Sequence, residues 1–175
     1  MNHSTPSFTI SAETIFAEDL EGLAKAQQSY GDSWKKRGGV GAFMMLARKW
    51  DRLVIQVSKC NGDIQRAIDE DERAEGVIDD IRDLRRYLIL VENEMMGVFI
   101  STNNASPSWV AFSAMAYFWE DLEARVKEQG WDIFKEYHSC RNLVRWLIEA
   151  LADVEAIARK RGFNSASKKH RDNGG

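Results

Sequence analysis

Apolar residues recur along this chain at helical spacing. Between about 40 and 58, Phe43, Ala47, Trp50, Val54 and Val57 step by four, three, four and three, which puts them on one face of a helix. A second stripe, Ile78, Ile81, Leu84, Leu88, Val91 and Met95, predicts a helix from about Glu75 to Phe99. A third, Leu143, Leu147, Leu151, Val154 and Ala158, predicts one over about 132–161 that Gly162 stops. Ile15, Leu20 and Leu23 mark an N-terminal helix from near Ser11 toward Gln28, with Glu13 in its first turn, where the helix dipole favours negative charge. Ser106-Pro107 is a capping serine before a first-turn proline and predicts a helix over about 107–128. Residues 63–75 are polar enough to be either a short helix or a linker.

The breaks fall between these stripes, at Tyr30-Gly31-Asp32-Ser33, Asn61-Gly62-Asp63 and 101–105. Alternating patterns are scarce, and only two prolines and twelve glycines occur, so little of the chain is obliged to be loop. The expected fold is all-α, a helical bundle counted as four long helices plus a short one. Residues 1–10 read as a flexible N-terminal arm, 11–162 as a single helical domain and 163–175 as a disordered polar tail.

Composition narrows the function classes. The 175 residues are 44% hydrophobic and 29% charged, ordinary for one folded domain. The net charge of -3 argues weakly against a general nucleic-acid binder. Cys60 and Cys140 are too few for a disulfide scaffold, and no Cys/His cluster suggests zinc. Of the three histidines, His3 and His170 lie near the ends, and His138 stands two residues from Cys140, a spacing that does not share a helical face. No apolar run approaches the roughly 20 residues of a membrane helix. The start MNHSTPSFTISAE lacks a charged region followed by an apolar core, so it is not read as a signal peptide and the expected compartment is the cytoplasm.

Two places could carry chemistry. Asp79, Asp80 and Asp83 lie three and four apart on one helix, where exposed like charges repel by a few tenths of a kcal/mol. A Mg2+ ion would reverse that penalty, since hard cations take carboxylate oxygens. A solvated face neutralised by Arg82, Arg85 and Arg86 explains the same residues. Asp80 and Asp83 border the buried stripe, and Tyr87 continues their line by one turn.

The second place is Lys35-Lys36-Arg37-Gly38-Gly39, directly before a helix. Free N–H groups at a helix start, beside cations, suit phosphate, and glycines let the backbone approach closely. An ordinary basic interhelical loop accounts for it equally, and it is no Walker A sequence. Downstream, Arg48, Lys49, Asp51 and Arg52 fit either an exposed ion-pair edge or a phosphate site with one metal-binding carboxylate. Trp34 could stack on a base, and Tyr30 could contact one. Trp50, Trp109, Trp119 and Trp146 read as core, as do Met44, Met45, Met95 and Met96.

With YGDSWKKRGG, GAFMMLARKWDRL and DDIRDLRRY in view, the chain resembles the phage-associated family called nucleotide modification associated domain 1 over about residues 11–100. That family looks like a relative of the MazG-like all-α nucleotide pyrophosphohydrolases. The resemblance implies a MazG-like bundle, a homo-oligomer (dimer or tetramer), and Mg2+- or Mn2+-dependent cleavage of a nucleoside triphosphate, in host cytoplasm if phage-encoded. Asp79, Asp80 and Asp83 match the acidic patch on the second metal-bearing helix, with Asp79 and Asp83 as the catalytic pair. Asp51 is the one acid on the first metal-bearing helix, because the paired glutamates of an ExxE motif are replaced by Arg48, Lys49 and Asp51. Lys35, Arg37, Arg48, Lys49 and Arg52 would hold phosphates. The missing glutamates leave two alternatives open: a nucleotide or nucleotide-signal binder without catalysis, and a helical oligomerisation module.

Overall fold

The structure, a computed structural model, describes residues 7–74, 76–96, 112–135 and 137–163. Among these, six α-helices and no strand occur, which makes the fold all-α. They are α1 (Ser7–Tyr30), α2 (Gly38–Ser58), α3 (Ile64–Glu70), α4 (Val77–Met96), α5 (Phe112–Glu128) and α6 (Tyr137–Lys160). Five are long rather than four, because the N-terminal segment and both C-terminal segments pack as full members of the bundle. The loop at 101–105, the Ser106-Pro107 start, Trp109, residues 1–6 of the expected arm and the expected tail from 164 lie outside the described residues.

α6 is the central helix. Six consecutive residues, Leu151 to Ala156, are buried, so this stretch meets protein all round. It packs against α1, α4 and α5, and α4 packs in turn on α2. The helix ends as expected: the Gly162 N–H donates to Arg159 O at 2.9 Å and the Phe163 N–H to Ala158 O at 3.0 Å, a closing turn that Gly162 permits with φ +90°. The polar 63–75 segment resolves into α3, where the Asp63 carboxylate caps the helix by accepting from the Arg66 N–H at 3.1 Å.

α2 and α5 are joined by stacked rings. Phe112 lies on Trp50 (centroids 5.4 Å), Trp50 on Trp119 (5.3 Å), Trp119 on Phe43 (5.6 Å), and Phe43 meets Trp131 (5.8 Å). Each ring pair adds about 0.5–1.5 kcal/mol beyond the area it buries. Trp146, expected in the core, is instead 41% exposed and leans on Phe118. Met44 is also exposed, since the buried face of α2 runs through Phe43, Leu46, Trp50, Leu53 and Val57, one step round from Met44. Leu20 likewise points outward, and the inner line of α1 is Ile15, Asp19 and half-buried Leu23. No helix among the described residues is long and apolar enough to cross a membrane.

Candidate functional site

One cleft of about 320 Å³ opens between α1, the turn after it, and α4. Its size is at the small end of the ~300–1,000 Å³ common for ligand pockets. Helical spacing builds both walls. From α1 come Gly22, Leu23, Gln27 and Tyr30, and from α4 come Asp83, Arg86, Tyr87 and Leu90, a run of three, one and three. Gly31 (φ +56°) breaks α1 and is followed by a short 3-10 turn, Ser33–Lys35, which sets Ser33 and Trp34 at the mouth.

Three rings therefore share the cleft. Tyr30 is 75% exposed. Trp34 is buried, meets Phe134 edge-on at 6.1 Å and carries the Lys35 ammonium 6.0 Å from its ring centre, so only part of the indole is open to a ligand. Tyr87 is half-buried, and burial raises its phenol, an effect Asp83 reinforces and Lys49 opposes. The Tyr87 hydroxyl is therefore neutral and can donate or accept.

The structure separates the three aspartates. The Asp79 carboxylate turns back to cap its own helix, accepting from the Gly76 N–H at 3.2 Å, with Arg82 at 3.9 Å. Asp80 is buried and bonded to Arg73 Nη2 at 2.9 Å, which also holds Asp71 at 2.7 Å. Burial raises the Asp80 carboxyl, opposed by Arg73, Arg52 and Lys49. Asp83 alone reaches the cleft, where it pairs with Lys49 at 2.8 Å. Asp51 is exposed on α2. No group of three or more acids, histidines or cysteines among the described residues could hold a metal ion. The donors expected for Mg2+ do not fit it in this arrangement, because each Asp of α4 faces a different cation.

At the basic glycine loop, protein groups pack against the start of α2 and pair with Lys35. Gly39 is buried, and a Cβ there would stand 1.8 Å from Asp132 Oδ1 and 2.8 Å from the Phe134 nitrogen. The Asp132 carboxylate, which accepts from the Phe134 N–H at 3.1 Å, thus packs beside Gly39 in the first turn of α2. Lys35 is paired with Glu94 at 2.8 Å, and Lys36 and Arg37 are exposed beyond it. Arg48 and Arg52 are exposed along α2 and do not line the cleft. Of the expected site residues, the cleft gathers Tyr30, Trp34, Asp83 and Tyr87, with Lys49 behind Asp83.

The arginines of α4 serve other partners than the expected aspartates. Arg85 is 1% exposed and bonds Asp19 and Glu155, both fully buried. Arg82 joins Glu155 at 3.1 Å, and Arg159 bridges Glu155 to Glu18. Arg86 donates from Nε to Asp19 Oδ1 at 3.1 Å and lines the cleft with its guanidinium. The signal for these groups was present in the sequence: Asp19 sits four residues after Ile15, Arg85 between Ile81 and Leu88, and Glu155 between Leu151 and Ala158, all on apolar faces.

The fold and cleft define an all-α protein with a small aromatic, one-guanidinium pocket. No family model, no curated protein and no solved structure matches the chain.

Proposed function

We propose that this protein binds a nucleoside phosphate in the cleft between α1 and α4. The observation that carries this reading is the convergence of Tyr30, Trp34 and Tyr87 with Arg86 and Gln27 around a single small pocket. The rings offer faces and edges to a planar base. The Gln27 amide and tyrosine hydroxyls offer the donors and acceptors that a base edge or sugar needs. Arg86 offers the planar fork that matches a phosphate. The likeness to a nucleotide-associated family points the same way. Hydrolysis is not part of the proposal, since Asp79 and Asp80 are committed away from the cleft.

Thermal unfolding against a panel of nucleosides and nucleotides, each with and without Mg2+, tests it. A ligand that binds only the folded chain stabilises it by RT ln(1 + [L]/Kd). The expected outcome is a shift of the same size with and without Mg2+, and intact nucleotide afterwards. No shift from any nucleoside or nucleotide would refute nucleotide binding. Release of pyrophosphate in the presence of Mg2+ would replace simple binding by catalysis.

A further inference from the structure

Arg86 is positioned from two sides. Its Nε donates to buried Asp19 at 3.1 Å, which fixes one edge of the guanidinium. Its face lies against Gly22, where a Cβ would stand 2.9 Å from Cζ and Nη1 and 3.1 Å from Nη2. Gly22 is therefore the space in which the guanidinium rests. Both Nη groups are left without a hydrogen bond among the described residues.

Among the described residues Arg86 is also the one cation that lines the cleft. Asp83, three residues earlier on the same face, brings a carboxylate to that wall, and Lys49 balances it from behind at 2.8 Å. The forked donor of Arg86 can hold a single phosphate group, and the Asp83 carboxylate on the same wall disfavours added negative charge. Further phosphates would face Asp83, and the nearest other cations among the described residues are already paired, Lys49 with Asp83 at 2.8 Å and Lys35, beside Trp34 at the mouth, with Glu94 at 2.8 Å.

We propose that the cleft selects a nucleoside monophosphate over the triphosphate, with Arg86 as its anion contact and with Asp19 and Gly22 as the residues that position Arg86. This rests on the nucleotide reading above and narrows its ligand class.

Calorimetric titration of the full chain with a nucleoside, its monophosphate and its triphosphate, for each common base and without divalent metal, tests the selection. A charge-assisted contact of this kind corresponds to roughly tenfold or more in affinity. The monophosphate is expected to bind about tenfold tighter than the nucleoside, and the triphosphate more weakly than the monophosphate. Arg86→Gln should bring the monophosphate down to the affinity of the bare nucleoside. Gly22→Ala keeps the charge but displaces the guanidinium, and should move the monophosphate the same way. Melting curves report whether each variant folds, and Gly22→Ala decides the matter if Arg86→Gln does not. A triphosphate held as tightly as the monophosphate or tighter, or a folded variant that keeps the full preference, would overturn the selection and leave nucleotide binding standing. No binding of any of the three would overturn nucleotide binding itself.

Discussion

Arg85 and Asp19 lock α4 to α1 through two hydrogen bonds, Nε to Oδ2 at 2.5 Å and Nη2 to Oδ1 at 2.8 Å, with both side chains shut away from solvent. Glu155 of α6 closes the group by accepting from Arg85 at 3.1 Å. The cost of burying these charges is balanced only while all are present. Arg85→Ala should therefore destabilise the fold by about 3–5 kcal/mol, a large share of the ~5–15 kcal/mol typical of a domain. Replacing Asp19, Arg85 and Glu155 together by leucine and methionine should cost less than the single change, because the fully buried charges leave together and the arginines that lose a partner, Arg82, Arg86 and Arg159, reach solvent. Urea unfolding of the two variants separates these outcomes. Equal losses would mean that the ion pairs themselves, and not their mutual compensation, hold the helices together.

Acid should weaken the bundle through the same group. Burial raises Glu155, but Arg85, Arg82 and Arg159 outweigh it, so the carboxyl lies below its ordinary value of 4.5. A carboxyl lowered in the folded state contributes stability that is present above its unfolded pKa and lost as pH falls through the folded one. Glu92 behaves oppositely. It is buried on α4 facing α6, Arg145 is 3.6 Å away, its Oε2 has no hydrogen-bond partner among the described residues, and burial raises its carboxyl above 4.5. The folded state then holds the proton more firmly, so Glu92 costs stability as pH rises through its raised pKa. Glu92→Gln should gain on the parent as pH climbs above about 4.5, measured by melting temperature across pH. A variant equally weakened at every pH would show that Arg145 compensates Glu92 fully.

The contact of Gly39 with Asp132 predicts a contrast between adjacent glycines. Gly38 adopts φ +70° with nothing within 4 Å of a Cβ, so Gly38→Ala meets only the left-handed backbone penalty, about 1–2 kcal/mol. Gly39→Ala drives a methyl into Asp132 and the backbone at Phe134, an overpacking of about 1–3 kcal/mol. Adding Asp132→Ala should recover part of the Gly39→Ala loss, because the nearest clash is with that carboxylate, and none of the Gly38→Ala loss. A double-mutant cycle on melting data reads the difference, and additive Gly39 and Asp132 effects would exclude the contact.

Periodicity made the helices legible. The stripes through Phe43, Trp50 and Val57 and through Leu143 to Ala158 fall on buried faces, and Gly162 ends α6 where expected. The helix α1 begins at Ser7, four residues before Ser11, the start that the apolar spacing suggests. The cleft was half legible. Asp83 and Tyr87 share a face at a spacing of four, and Arg86 belongs to the same face, yet its charge made it look like a counterion for Asp79 and Asp83. What the sequence could not express is which cation meets which acid. Asp19 and Glu155 lie 66 and 70 residues from Arg85, and only the packing of α1, α4 and α6 brings them together. For the same reason the acid that packs beside Gly39, Asp132, could not be foreseen from the glycine loop.

Asp83 separates the two chemistries the cleft could serve, because they predict opposite signs for one substitution. In a metal-dependent site a carboxylate on the wall is a ligand, and Asp83→Asn would abolish binding of a nucleotide. In the metal-free reading Asp83 is a half-exposed acid that repels the ligand's phosphate, while its own charge is offset by Lys49 at 2.8 Å. Asp83→Asn then removes the repulsion and frees the Lys49 ammonium behind it. At water-like dielectric one such charge is worth about 0.5–1 kcal/mol, so a nucleoside monophosphate should bind roughly two- to fivefold tighter. The gain should shrink as salt is raised, since exposed charges are screened within about 10 Å at 0.1 M. Titration of the parent and Asp83→Asn at two salt concentrations decides it: tighter binding that fades with salt supports an electrostatic rim, and loss of binding would make Asp83 part of the ligand's direct hold.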